Sequence, residues 1–163
     1  SFGMRIALYE PDIPQNAGAI FRLGACLGVA VDVIEPCGFV LDDRRLRRVS
    51  MDYGGQADIV RHASWSAYCD DREAGRTILL TTAGATPYTE FEFQPADTLL
   101  MGRESAGVPD DVHAAADARL IVPMAIGARS LNVVTAAAMV LGEALRQTNG
   151  FAIHEALSKQ ATE

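Results

Sequence analysis

Hydrophobic residues occur along this chain in short runs, and longer stretches with apolar residues at helical spacing lie between them. Most of the short runs show no alternation with polar residues, which is typical of strands buried on both faces of a sheet. The predicted strands span 5–9, 29–34, 57–60, 77–81, 98–101 and 120–122, and the predicted helices span 17–27, 65–74, 109–116 and 131–148. This alternation of strand and helix predicts an α/β fold with a mostly parallel sheet and helices on both faces.

The last predicted helix has the strongest apolar pattern. Ser130 is a suitable N-cap and Gly150 a suitable end, which together bracket a helix of ordinary length. Ala136, Ala137 and Gly142 keep the faces beside its apolar stripe narrow, so we expect this helix to pack closely on its neighbours. The apolar stripe consists of Leu131, Val134, Ala138, Leu141 and Leu145.

The length of 163 residues predicts a single domain, which we place at residues 4–150. We interpret residues 1–3 as an expression-vector remnant and residues 151–163 as a C-terminal tail. Hydrophobic residues make up 49% and charged residues 21% of the chain, as in ordinary globular proteins. No apolar run approaches the roughly 20 residues that a membrane helix needs, so we expect no membrane segment and a cytoplasmic location.

The cysteines and histidines indicate neither a disulfide framework nor a metal site. The three cysteines are an odd number at wide spacing, and no two histidines are three or four residues apart. Zinc sites need closely spaced ligands, so we expect no metal. These residues are Cys26, Cys37, Cys69, His62, His113 and His154.

The formal net charge of −7 argues against a nucleic-acid partner, because phosphate backbones are bound largely through lysine and arginine. Charge can nevertheless be segregated on one face. The densest basic segment contains Arg44, Arg45, Arg47 and Arg48. These four arginines form either an RNA-binding surface or a solvated face paired with the preceding carboxylates of Asp42 and Asp43.

Three loop-to-helix segments, 14–22, 102–109 and 123–132, are rich in glycine, asparagine, serine and arginine. The second and third follow predicted strands, and ligands of open α/β sheets bind at the carboxyl ends of strands. Common motifs are absent, since 102–109 lacks the lysine of a phosphate loop and Ser105 lacks the first glycine of a nucleophile elbow. Taken singly, the polar residues of these segments are equally suited to helix capping and turns.

Taken together, the three segments resemble the signature motifs of the SPOUT methyltransferases. They read Asn-x-Gly-x-x-x-Arg from Asn16, Gly-x-Glu from Gly102, and Pro-x-x-x-x-x-Arg-Ser-Leu-Asn from Pro123. Segments 8–14, 34–39 and 45–48 are similar to the TrmL branch of that family. The resemblance covers nearly the whole chain and implies a trefoil knot in the C-terminal half and a homodimer.

The resemblance also implies a reaction and its ligands. The family transfers a methyl group from S-adenosyl-L-methionine (SAM), leaving S-adenosyl-L-homocysteine, and the implied cofactor contacts are Leu80, Gly102, Val122 and Ser130. Gly84 belongs to a further wall of that pocket, and Gly102→Val is expected to block the pocket without unfolding the domain. The implied acceptor is the ribose 2′-hydroxyl of the wobble nucleotide, a cytidine or modified uridine, so the partner is a tRNA anticodon stem-loop.

Four residues receive catalytic roles from the same resemblance. Arg22 is the residue that the motif assigns to the acceptor, but an arginine stays protonated and is unsuited to be a general base. We expect it to grip the adjacent phosphate and to stabilise the developing alkoxide, with its side chain at the mouth of the cofactor pocket. Asn16 is expected to hold the loop or the ribose, and Ser130 and Asn132 to shape the cofactor pocket and the dimer seam.

Three other functions stay open at this point. A SPOUT enzyme could act on rRNA or on a base nitrogen, although the Asn-x-Gly-x-x-x-Arg motif favours ribose chemistry. A non-catalytic module that binds SAM or RNA is the second alternative, and a small α/β hydrolase is the third. The intact motif residues count against the second, and the absence of a nucleophile elbow counts against the third.

Overall fold

The structure is a computed structural model that describes residues 3–55, 57–83 and 86–151. Its seven strands form one sheet in the order β3-β2-β1-β6-β4-β7-β5, and every described strand pair is parallel. The α/β class and the parallel sheet are therefore as predicted. The strands are β1 (Arg5–Tyr9), β2 (Ala30–Ile34), β3 (Ile59–His62), β4 (Thr77–Leu80), β5 (Thr86–Pro87), β6 (Thr98–Met101) and β7 (Ala118–Ile121).

Helices cover both faces of the sheet. The apolar side chains of strand β1 divide between the faces, because Ile6 and Leu8 belong to the core beneath α1 and α5 whereas Ala7 and Tyr9 belong to the core beneath α3 and α4. Helix α1 also contacts α2 and α5. The helices are α1 (Pro14–Leu27), α2 (Asp43–Asp52), α3 (Trp65–Asp71), α4 (Asp110–Ala115) and α5 (Val133–Thr148), and a short 3₁₀ turn spans Tyr88–Glu90.

The carboxyl ends of β6, β4 and β7 lie side by side, because these strands are neighbours in the sheet. The segments that follow them therefore meet at one edge of the sheet. The amino end of α5, which follows β7 in the chain, contributes to the same region. This arrangement brings together two of the three loop-to-helix segments that the sequence singled out.

Two predicted strands were displaced, α1 begins three residues earlier and α3 ends three residues earlier than predicted, and two elements, α2 and β5, were missed. The strand predicted at 57–60 lies at Ile59–His62 and the one predicted at 120–122 lies at Ala118–Ile121. Helix α2 has no fully buried residue, so it lacks the apolar stripe that predicts a helix. Strand β5 is only two residues long, which is too short to give a pattern.

The caps of α5 differ from the prediction. Asn132, not Ser130, is the N-cap, because its Oδ1 accepts hydrogen bonds from the backbone N–H groups of Val134 (2.9 Å) and Thr135 (3.3 Å). Leu131 thus precedes the helix and is exposed. At the other end the left-handed C-cap is Asn149, with φ 53°, rather than Gly150. The buried face consists of Ala137, Val140, Leu141, Ala144 and Leu145.

A buried ionic cluster lies on the α3 side of the sheet. Arg5 binds Asp32 through two hydrogen bonds, Nε to Oδ2 at 2.7 Å and Nη2 to Oδ1 at 3.0 Å. His62 Nε2 lies 2.9 Å from the same Asp32 Oδ1. Because the Asp32 side chain is only 6% exposed, it depends on these partners in place of water.

Candidate active site

A cavity of about 640 Å³ opens at the carboxyl ends of β4, β6 and β7, within the range of about 300–1,000 Å³ that is usual for small-molecule sites. Its walls are the loops after these strands, the start of α1 and the amino end of α5. No group of metal ligands occurs among the described residues. The volume of the cavity and its mixture of apolar and polar walls suit a small organic ligand.

All four residues expected to contact the cofactor line this cavity. Leu80 ends β4, Gly102 directly follows β6, Val122 directly follows β7, and Ser130 lies in the loop before α5. The structure thus brings together positions that are up to fifty residues apart in the sequence. Gly84, which was expected in a further wall, lies outside the described residues.

Gly102 is required by the loop that follows it. A β-carbon at this position would lie 2.9 Å from both the Cα and the carbonyl carbon of Gly107. Arg103 and Gly107 close the loop by exchanging backbone hydrogen bonds of 3.0 and 2.9 Å. Gly102→Val would therefore displace the cavity wall as well as occupy ligand space, and that it blocks binding without unfolding the domain stays a prediction.

A chain of amide hydrogen bonds connects three walls of the cavity. Asn132 Nδ2 donates to Asn16 Oδ1 at 3.3 Å, and Asn16 Nδ2 donates to Glu104 Oε1 at 3.2 Å. These residues lie before α5, in the first turn of α1, and in the loop after β6. The structure thus places Asn16 and Asn132, two of the residues expected to be catalytic, together at the cavity.

Behind this wall, the carboxyl groups of Glu104 and Asp12 lie close enough for one to hydrogen-bond the other when a proton is present. Glu104 lines the cavity, whereas Asp12 lies in the loop after β1 and accepts a hydrogen bond from the Ser105 hydroxyl. The hydrogen bond with Glu104 and that with Ser105 lower the pKa of Asp12 to about 2. Burial, followed by the neighbouring Asp12, raises the pKa of Glu104 above its usual value.

Arg22 does not lie at the cavity of its own chain. It is exposed, and its guanidinium lies over the ring of Tyr53 at 5.9 Å from the ring centroid. Tyr53 is the C-cap of α2, so Arg22 lies on the side of α1 that faces the α2 region. The structure therefore does not place Arg22 with Asn16, Ser130 and Asn132, and the expected orientation toward the mouth of the pocket is not observed.

The four arginines of the basic segment lie on helix α2 and are all exposed. The two carboxylates that could have neutralised them have other partners. Asp42 caps α2 by accepting a hydrogen bond from the backbone N–H of Arg45 at 2.8 Å, and Asp43 forms an ion pair with Arg61 at 3.3 Å. Within the described ranges, none of the guanidinium groups of Arg44, Arg45, Arg47 and Arg48 forms an ion pair with Asp42 or Asp43.

Sequence reasoning missed Asp12 and gave Glu104 no role of its own. Glu104 is the acidic residue of the Gly-x-Glu motif, so a signal for it was present. Asp12 carries no comparable signal, because its contact with Glu104 joins positions more than ninety residues apart. Only the packing of the two strand ends reveals the pair.

The comparisons with known proteins agree with this architecture. Residues 3–142 match the model of a family described as "SpoU rRNA Methylase family". The chain belongs to this family of methyltransferases, which is part of the SPOUT group.

Particular relatives share most of the chain. A protein of Beijerinckia indica subsp. indica named tRNA (cytidine(34)-2'-O)-methyltransferase is 56% identical over 149 residues, which cover 90% of this chain and 93% of the relative. A solved structure described as "Structural insights into the 2-OH methylation of C/U34 on tRNA" is 36% identical with a TM-score of 0.80, and the match covers 90% of this chain and 97% of that one. The SpoU methyltransferase AviRb from Streptomyces viridochromogenes, solved in complex with the cofactor AdoMet, is 27% identical with a TM-score of 0.77, over 90% of this chain and 60% of that one.

Proposed function

We propose that this protein transfers the methyl group of SAM to the ribose 2′-hydroxyl of the wobble nucleotide, a cytidine or modified uridine, in the anticodon loop of tRNA. The observation that carries this proposal is the similarity, over nine-tenths of the chain, to a relative named for that reaction. The motif segments of the chain meet at one cavity, as such a reaction requires.

The cavity fits SAM by its size and by the chemistry of its walls. Leu80, Val122 and Ala136 offer apolar surface, and Asn16 and Ser130 offer polar groups. The absence of a side chain at Gly102 brings the backbone close to the ligand space. When bound, SAM supplies an electrophilic methyl group on a positively charged sulfur. The residues of this chain then have to hold the acceptor oxygen in line with that methyl group.

We propose that Arg22 grips the phosphate beside the acceptor and stabilises negative charge on its oxygen. Because the side chain does not face its own cavity, the proposal assigns it to the cavity of the partner subunit in a homodimer. Asn16, anchored by Glu104 and Asn132, is proposed to orient the ribose. Ser130 and Asn132 are proposed to shape the cofactor pocket beside the subunit interface.

The outer surface of α1 and α5 supports the homodimer. Ile13, which precedes α1, and Leu131, which precedes α5, are each 38% exposed, and Met139 in α5 is 42% exposed, so apolar surface is available there to a partner. Gly18 in α1 and Gly142 in α5 have no neighbouring atom within 4 Å of the position of a β-carbon. These two glycines leave open space through which a second copy could approach the helices closely.

We propose that the tRNA binds along α2 and the adjoining part of α1. Arg44, Arg47 and Arg48 are exposed on α2 and Arg45 beside them donates to the carbonyl of Val40. Arg22 extends this basic surface through its contact with Tyr53. The net charge of −7 therefore coexists with one concentrated basic region, which is what phosphate binding requires.

The finer features of the fold are also proposals. Strand β7 lies between β4 and β5 although it follows both in the chain. The chain that leads into β7 therefore has to pass the connection between β4 and β5 to enter the sheet between them. This path supports a C-terminal trefoil knot. A methyltransferase domain at residues 4–150 and a cytoplasmic location follow from the same proposal, since tRNA is the proposed substrate. The part of the chain that the structure describes holds no helix long and apolar enough to cross a membrane.

The proposal is tested by incubating the protein with methyl-labelled SAM and, in parallel, unfractionated tRNA or rRNA from a strain that lacks the protein. We expect label in tRNA alone. Label in rRNA alone would favour the other substrate that the family description names, and SAM binding without label in either RNA would favour a non-catalytic module.

A further inference from the structure

Two enclosed carboxylate oxygens lie behind the cavity wall without a donor. Asp12 Oδ1 and Glu104 Oε2 are buried and receive no hydrogen bond from any N–H or hydroxyl of the described residues. The other oxygens of the same carboxyls are satisfied, by Ser105 for Asp12 and by Asn16 for Glu104. Two acceptors that meet in a buried place repel each other unless a proton lies between them.

Among the described residues, no cation is paired with these two carboxyls to replace that proton. The charged groups nearest along the chain or across the cavity are Glu10, Arg103 and Arg129. The guanidinium of Arg103 lies over the ring of Tyr9 at 5.4 Å and donates to the carbonyl of Gly107. Over the described ranges, neither Asp12 nor Glu104 forms an ion pair. Asn16 at the start of α1 donates to Glu104, and Asn132 before α5 donates to Asn16.

We propose that Asp12 is a positioning residue of the cavity: in the free protein it shares one proton with Glu104, and binding of the sulfonium cofactor releases that proton. This inference rests on the proposed function, because it takes SAM as the ligand of the cavity. The O–H bond on Glu104 breaks and the proton passes to the buffer, and a sulfonium bound in the cavity that Glu104 lines would supply the compensating positive charge. A neighbouring cation favours the ionised form of a carboxyl group.

The direction of the pH dependence follows from the pair. Asp12 is ionised well below neutral pH, so the exchangeable proton is the one that Glu104 holds below its raised pKa and loses above it. A bound sulfonium lowers the pKa of Glu104. Proton release therefore occurs at pH values between the lowered pKa of Glu104 in the complex and its raised pKa in the free protein. The release vanishes at higher pH, where Glu104 is ionised before the cofactor binds.

The test is calorimetric titration of the intact protein with SAM and with S-adenosyl-L-homocysteine, each in two buffers of different ionisation enthalpy and over a series of pH values. The homocysteine product has the same adenosine and amino-acid groups but no sulfonium charge. We expect SAM to release up to about one proton per site and the product to release clearly less. Asp70→Asn, which removes an exposed carboxylate from α3, serves as the control and should leave this difference unchanged.

Two variants make the assignment specific. Glu104→Gln should bind SAM and lose the difference between the two ligands. Asp12→Asn removes the negative charge beside Glu104 and offers an amide donor, so it should lower the pKa of Glu104. The difference in proton release between the two ligands should therefore move to lower pH. Circular dichroism verifies that both variants are folded. Equal proton release by the two ligands, or a difference that persists in Glu104→Gln, overturns this inference alone, whereas no heat with either ligand removes the proposed function and the inference with it.

Discussion

Asn132 performs two tasks that substitution can separate. Its Oδ1 caps α5 by accepting from the N–H groups of Val134 and Thr135, and its Nδ2 donates to Asn16 across the cavity wall. Asn132→Ala removes both sets of contacts. Asn132→Asp keeps the capping oxygen but replaces the amide donor with a second acceptor, so it disrupts only the link to Asn16.

The two substitutions should therefore differ in their effects. Loss of an N-cap costs about 0.5–2 kcal/mol, so Asn132→Ala should lower the free energy of unfolding by this amount. Asn132→Asp should lose less stability than Asn132→Ala, because its carboxylate still caps the helix and is favourable at a helix amino terminus by about 0.3–1 kcal/mol, which offsets part of the lost hydrogen bond to Asn16. The lost hydrogen bond to Asn16 is worth about 0.5–1.5 kcal/mol, which corresponds to a decrease of roughly 2- to 13-fold in the rate of methyl transfer by either variant.

Urea unfolding and single-turnover methylation of tRNA measure the two effects separately. Ser64→Ala is a matched control, since Ser64 caps α3 away from the cavity by accepting from the backbone N–H of Ala67 at 3.0 Å. It should lose stability like Asn132→Ala while retaining methyl transfer under conditions where it is folded. If methyl transfer follows stability across all three variants, or if Asn132→Asp is as unstable as Asn132→Ala, the positioning role of this amide is refuted.

Three further predictions concern residues outside this amide chain. Asp32→Ala leaves the guanidinium of Arg5 buried without its partner, so urea unfolding should show a loss of about 3–5 kcal/mol; a loss below about 1 kcal/mol would mean that the cluster contributes little. Arg22→Ala should bind SAM normally in calorimetry yet slow single-turnover methylation by the roughly 100- to 1,000-fold that removal of one oxyanion donor costs, and near-normal turnover would make Arg22 a solvated helix residue. The double variant Arg47→Glu, Arg48→Glu should raise the tRNA concentration needed for half-maximal activity and flatten its salt dependence, whereas an unchanged salt slope would return these arginines to a solvated face.

The buried strands could be predicted from the sequence because their physical basis is local. Strand β2, for example, is buried along all five residues, and four of the five are apolar because the strand has neighbours on both sides and helices on both faces. Strand β3 pairs only with β2, so it has an edge position, and two of its four residues are exposed. Its apolar signal is correspondingly weak, which explains the displaced boundary.

Helix α2 could not be predicted because its stability does not come from a buried stripe. Asp42 caps it, and Leu46 and Val49 pack only partly against the core. A ten-residue helix with four exposed arginines and an aspartate at each end is similar in sequence to a charged loop. The misplaced caps of α5 have a similar cause, since Ser130 and Asn132 are both good capping residues and only the hydrogen bonds of the folded chain decide between them.

The residues of the cavity could be predicted in part. The family resemblance implied Leu80, Gly102, Val122 and Ser130 as cofactor contacts, and the structure brings them to one cavity because strand ends in a parallel sheet converge. The direction in which Arg22 points could not be predicted, because motif spacing fixes a position along α1 and not the packing of α1 against α2. Because the observed orientation of Arg22 differs from the expected one, we propose a site shared between two subunits instead of a catalytic site within one chain.

The most direct measurement of the central claim is mapping of the modified nucleoside by mass spectrometry, after methyl transfer from SAM to tRNA from a strain that lacks the protein. The account predicts a single new methyl group, on the ribose of the wobble nucleotide, in tRNAs with cytidine or modified uridine at that position. A methyl group on a base nitrogen, on a ribose elsewhere in the tRNA, or on no nucleotide at all would contradict it.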